Sequence, residues 1–157
     1  MGDIDPARET VARELGLTFL SQAPNATGAD VVVHASGQPD GLVTALALAG
    51  AEATIVDVSW YGDTAVALPL GEAFHSQRLT IRSSQVSRIP PERVPRWSHA
   101  RRAVLAIELL ADPVLDLLIT SESEFEDLPH VLATLSLDPP GALCHRVRYP
   151  DIQESRT

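Results

Sequence analysis

The 157-residue sequence contains no lysine; all 12 basic residues are arginine. That removes Schiff-base chemistry, a phosphate-loop lysine and a lysine general base from the mechanisms open to it. There is one cysteine, Cys144, so no disulfide closes within the chain and no four-thiolate zinc site forms from it alone. A cytoplasmic location is the simplest reading of that usage. No apolar run approaches the roughly 18 residues that span a bilayer. The acidic start lacks the apolar core of a secretory signal. Positive charge is also scarce: 21 acidic residues against 12 basic leave a net charge of −9. This argues against a general nucleic-acid or anionic-membrane surface. Finally, Gly-x-Gly-x-x-Gly occurs nowhere. Gly37 and Gly41 are separated by Gln-Pro-Asp, which does not make the tight turn of that motif. A pyrophosphate would therefore lack its usual helix N-terminus.

What is present suits one globular domain with a real core. The Arg-only, Ala- and Pro-rich composition points to a GC-rich, bacterial genome. The most organised stretch is 30–37, where Val31-Val32-Val33 is followed by His34 and then Ala35-Ser36-Gly37. A short β-branched run ending in small residues reads as a buried strand whose end admits close approach. An apolar helix over 42–49 and a second strand over 53–59 complete a βαβ unit.

Around this unit, 5–16 has a helix grammar: Asp5 as N-cap, Pro6 at the first turn and Gly16 as the stop. A short strand is expected at 17–20 and a turn over 21–28. Residues 66–70 read as extended, 78–85 as a half-buried strand and 87–95 as a Pro- and Arg-rich connector. A helix is expected over 98–112, a strand over 115–120, a helix over 124–135, a strand over 141–149 and a polar tail over 150–157. Strands alternating with helices imply an α/β fold with a mainly parallel sheet.

Few residues stand out as chemical. Asp3 and Arg8 flank the start of the first helix and could meet a ribose or phosphate; a solvated acid and a surface Arg paired with nearby Glu are the plain alternatives. The five histidines show no metal-site spacing, and Cys144 and His145 point to opposite faces of a strand. No metal site is expected. His34 at a strand end could contact a ligand or be a satisfied half-buried histidine. Ser36, Ser83 and Ser84 have no His–Asp pattern near them in sequence, so none is expected to be a nucleophile. Glu122 to Asp127 reads as an acidic helix start. Seven of the 12 arginines fall between Arg78 and Arg102, a weak nucleic-acid signal without interleaved aromatics.

In order and spacing these segments resemble the medium-chain dehydrogenase/reductase family, in its zinc-type alcohol dehydrogenase branch. The segments are Asp3-Ile-Asp-Pro-Ala-Arg8 with Leu15-Gly16, Asp30-Val-Val-Val-His-Ala-Ser-Gly37, Gly50 with Thr54-Ile-Val-Asp-Val-Ser-Trp-Tyr-Gly62, and Arg78-Leu-Thr-Ile-Arg-Ser-Ser84. The ending, Leu118-Ile-Thr120 and Phe125-Glu-Asp-Leu128 before a last strand, fits as well. The resemblance covers the chain to about Tyr149.

It implies a partial Rossmann-like sheet flanked by helices, lacking the first strand and Gly-rich loop. Residues 1–96 would be the C-terminal part of a dinucleotide-binding domain. Residues 97–149 would return toward an absent catalytic domain, leaving 150–157 as tail. By the same resemblance Asp3 and Arg8 would meet the adenosine ribose, favouring NAD. Ala35, Ser36 and Gly37 would line the dinucleotide, Val56 and Val58 would lie beside the nicotinamide, and Ser83, Ser84 and Gln85 would meet its amide. Arg146 would approach the pyrophosphate. Asp57 stands where the family often has Gly, and the resemblance gives it no role.

The implied function is the C-terminal portion of an NAD(P)-dependent oxidoreductase, inactive alone. Zinc would belong to the full-length family and not to this chain. The alternative is a non-catalytic subunit or binding module that pairs with a separate chain; in either case an exposed sheet edge is expected to make a homo-oligomer or hold a partner chain.

Overall fold

The computed structural model describes residues 1–22, 28–137 and 142–150. In chain order the elements are α1 (Arg8–Glu14), β1 (Ala29–His34), α2 (Pro39–Leu48), β2 (Ala49–Asp57), α3 (Ala73–Ser76), β3 (Thr80–Ser83), α4 (His99–Leu110), β4 (Ile119–Glu124), α5 (Leu128–Leu135) and β5 (Cys144–Arg148). They fall into two compact units: Gln22–His99, and Met1–Ser21 with Ala100–Thr157. Each sheet is parallel and flanked by helices, a Rossmann-like arrangement in which no strand leads into a Gly-rich turn among the described residues.

In the first unit β1, β2 and β3 lie side by side in that order, all parallel. The β-branched run and the small residues after it produce β1. Pro39 then starts α2 earlier than the apolar pattern alone suggests, because a proline at the first helical position loses no hydrogen bond. Leu42, Ala45 and Leu46 of α2 bury against Ala49, Ala53 and Ile55 of β2 and against Leu79. Ile55 is fully enclosed. Strand alternation sends Val32 to this core and leaves Val31 and Val33 on the other face, 60% and 64% exposed. The extended segment 66–70 joins no sheet, though Val66 and Leu68 pack on the core.

Two residues near the β2–β3 edge occupy left-handed backbone without being glycine: Glu52 (φ 63°) and Arg78 (φ 55°). Their side chains pair at 3.0 Å, and the Glu52 N–H donates to the Gln77 carbonyl at 2.8 Å.

In the second unit β4 and β5 form a parallel pair. The strand expected at 17–20 reduces to a single parallel bridge between Gly2 and Leu20. The strand expected at 115–120 lies at Ile119–Glu124 instead. Asp112 accepts from the Val114 N–H at 3.0 Å and Pro113 follows, so a 3-10 helix takes Pro113–Leu118. The acidic run expected to open a helix is half strand. Glu122 and Glu124 face the arginines of β5, and Phe125–Asp127 forms a 3-10 turn before α5. Pro24 and Asn25 of the expected turn, Gly141, and the tail after Pro150 lie outside the described residues.

Candidate functional site

Open parallel α/β sheets bind ligands beyond the carboxyl ends of their strands. In the first unit those ends form one row: His34 closes β1 opposite Asp57, which closes β2 opposite Ser83, the last residue of β3. Ladder bonds continue one step further, from Val58 N to the His34 carbonyl at 2.9 Å and from Ser84 N to the Asp57 carbonyl at 2.8 Å.

A polar network occupies this row. His34 is buried at 5% exposure. Its Nδ1 lies 3.0 Å from Asp57 Oδ1, and its Nε2 lies 2.7 Å from the Ser36 Oγ. The Tyr61 hydroxyl donates to Asp57 Oδ2 at 3.2 Å, and the Ser59 N–H donates to Asp57 Oδ1 at 3.0 Å. Ser59 Oγ accepts from the Gly37 N–H at 3.0 Å, and Ser36 Oγ accepts from the Gln38 N–H at 3.2 Å. The Tyr61 ring stacks on the imidazole with centroids 6.2 Å apart.

The network assigns the tautomer. A carboxylate only accepts, so Nδ1 carries the proton given to Asp57, and Nε2 accepts from Ser36. Burial works against the ionised Asp57. The Ser59 amide, His34 and the Tyr61 hydroxyl together outweigh it and hold the carboxyl below its ordinary range. Burial, then the Asp57 charge beside it, pushes the Tyr61 hydroxyl up.

Sequence reasoning missed this constellation. It expected Ser36 to have no His–Asp pair near it, yet the fold supplies both. Position 57 is distant in sequence, and only the parallel register brings it opposite His34. A polar residue closing each of two successive strands was the available signal. The structure also accounts for Asp57: its carboxylate holds a buried imidazole.

The other anticipated residues divide between the two units. Ala35, Ser36 and Gly37 follow β1, Val56 and Val58 flank the end of β2, and Ser83, Ser84 and Gln85 end or follow β3. All eight lie at or beside the same row. Gly37 has φ 68° with open space where a side chain would be. Gln85 turns into its own loop and accepts from the Ser87 amide and hydroxyl at 2.6 Å.

Asp3 and Arg8 lie in the second unit. Asp3 Oδ1 accepts from the Asp5 N–H at 2.9 Å. Arg8 donates to the Ala142 carbonyl at 3.1 Å and sits 3.5 Å from Asp5. Arg146 pairs with Glu122 across the β4–β5 ladder. Among the described residues no group of three or more His, Cys, Asp or Glu could hold a metal ion. No helix among them is long and apolar enough to cross a membrane.

No family model matches the chain, and no curated protein matches it by sequence. Solved structures do. L-idonate 5-dehydrogenase from Escherichia coli aligns with 90% of this chain and 40% of its own, at 21% identity and a TM-score of 0.67. The 2R,3R-butanediol dehydrogenase of Bacillus subtilis aligns over 94% and 42%, at 18% identity and 0.69. A short chain alcohol dehydrogenase of E. coli CFT073, complexed with NADH, aligns over 94% and 43%, at 20% identity and 0.66. The likeness is one of fold. The chain spans about two-fifths of the length of these enzymes.

Proposed function

We propose that this chain is the C-terminal portion of an NAD-dependent oxidoreductase of the zinc-type alcohol dehydrogenase kind, without alcohol-oxidising activity on its own. The observation that carries the reading is the row of three parallel strand ends, in a fold shared with a dehydrogenase solved with NADH. The fit to the cofactor is partial. Small residues and the open, positive-φ Gly37 leave room for a flat ring beside the strand ends. The sequence contains no Gly-x-Gly-x-x-Gly motif for the phosphates.

In this reading Ala35, Ser36, Gly37, Val56, Val58, Ser83, Ser84 and Gln85 line the nicotinamide side. When bound, NAD accepts a hydride from an alcohol carbon. The chain's own residues orient the ring and exclude water from one side of it. Amide NMR spectra recorded with nicotinamide mononucleotide test this. Shifts concentrated at Ser36, Gly37, Ser59 and Ser84 are expected. Saturating changes confined to other surfaces would remove the assignment.

A second reading, a non-catalytic subunit that pairs with itself or another chain, is favoured by a separate observation. Val31 and Val33 expose one sheet face, and β1 and β3 are open edges. Light scattering that shows one monodisperse monomer at high concentration would count against it.

A further inference from the structure

The Ser36–His34–Asp57 line satisfies the geometric requirements of a nucleophile, a base and a group that orients the base. Ser36 Oγ is 2.7 Å from Nε2, and Nδ1 is 3.0 Å from Asp57 Oδ1. The base is buried, at 5% exposure, while Ser36 is an exposed residue. Tyr61 and the Ser59 amide fix the Asp57 carboxylate, and the Gln38 N–H donates to Ser36 Oγ and helps hold the hydroxyl in place. The first turn of α2 presses on the pair. A Cβ on Gly41 would fall 2.2 Å from Ser36 Oγ and 2.6 Å from His34 Nε2. The positive end of that ten-residue helix therefore lies beside the reacting oxygen.

We propose that Ser36 is an acyl-accepting nucleophile toward small activated carboxylic esters, with His34 as its general base and Asp57 as the positioning residue. Ser36 Oγ adds to the ester carbonyl carbon as its proton passes to Nε2. The bond to the leaving alkoxide or phenoxide breaks, and the leaving group takes that proton. Water then adds to the Ser36 ester, giving its proton to Nε2. The acyl–oxygen bond breaks, the proton returns to Ser36, and a carboxylic acid departs. No oxidant, metal or nicotinamide takes part, so this activity stands or falls apart from the hydride-transfer reading.

The test uses the full chain carrying Cys144→Ala, because that exposed thiol would itself be acylated. p-Nitrophenyl acetate is added, released p-nitrophenolate is followed by absorbance, and the quenched protein is digested for peptide mass spectrometry. A burst approaching one equivalent is expected, with the acetyl group on Ser36. Ser36→Ala should lose the burst by at least about 100-fold, the usual share of a positioned base. A fluorophosphonate probe on the unsubstituted serine gives a second readout that depends on no Ser36 variant, and it should label Ser36 alone. A folded protein with no burst and no label, an acetyl group carried elsewhere, or an undiminished burst in Ser36→Ala each overturns the proposal.

Discussion

Removing the Asp57 carboxylate tests whether the strand-end network holds the first unit together. In Asp57→Ala three donors lose their acceptor: His34 Nδ1–H, the Ser59 amide and the Tyr61 hydroxyl. Their costs differ. Ser59 and Tyr61 are half-buried and can recruit water. His34 cannot, at 5% exposure. The Ser59 and Tyr61 oxygens lie 3.2 and 3.1 Å from Nδ1 and offer weaker substitute acceptors. The loss is then that of one buried donor with a poorer partner, about 1.5–3 kcal/mol. Asp57→Asn keeps an acceptor oxygen for Nδ1 and should cost about 1 kcal/mol. The assay is urea unfolding followed by tryptophan fluorescence and circular dichroism at neutral pH, repeated under acid conditions. The sign with pH follows from the lowered carboxyl. A group depressed in the folded state contributes fully above its unfolded value of about 3.9. That contribution is lost as pH falls through the folded value, so the gap between wild type and Asp57→Ala should narrow in acid. An Asp57→Ala protein as stable as wild type at neutral pH, or a gap that ignores acidification, would refute the argument.

Other perturbations probe the surrounding structure. Ile55→Ala empties a fully buried site between α2 and the sheet and should cost about 2–5 kcal/mol in the same unfolding experiment. Gly41→Ala drives a methyl group against Ser36 and the buried His34 ring. It should destabilise by about 1–3 kcal/mol and shift the His34 imidazole resonances, whereas alanine in an open helical turn would stabilise. Glu52→Gly relieves a left-handed backbone and gives up an ion pair whose side chains are 63% and 79% exposed. It should raise stability by about 0.5–1 kcal/mol, seen as a higher melting midpoint. Glu122→Gln weakens exposed pairs with Arg146 and Arg148 and should move stability by less than about 1 kcal/mol.

The parallel α/β class and the βαβ unit were legible because local signals agreed there. The valine run and the apolar face of α2 specify the same packing, so β1 and α2 formed close to where patterning put them, whereas β2 begins at Ala49 rather than at 53. Boundaries failed where a local polar contact competed with hydrophobic pattern. Leu115 to Leu118 read as strand, but the Asp112 side chain and Pro113 turned them into a 3-10 helix. Glu122 and Glu124 read as a helix start because acids suit a helix dipole, whereas partners 24 residues further on in β5 held them in a strand.

The site was half legible for a related reason. Strand ends can be picked from one sequence, since small residues after a β-branched run mark them. Which ends become neighbours depends on register, and no residue near His34 in sequence announces Asp57. The register also settles what an acid is doing at position 57. An unpartnered carboxylate there would oppose an anionic cofactor and gain nothing from burial. Paired with His34, Tyr61 and the Ser59 amide, its charge is engaged, and the far end of that arrangement is the Ser36 hydroxyl. A strand end built only to shape a cofactor wall needs the small residues; it does not need a buried imidazole held by a fixed carboxylate. That surplus is what acylation at Ser36 would put to use.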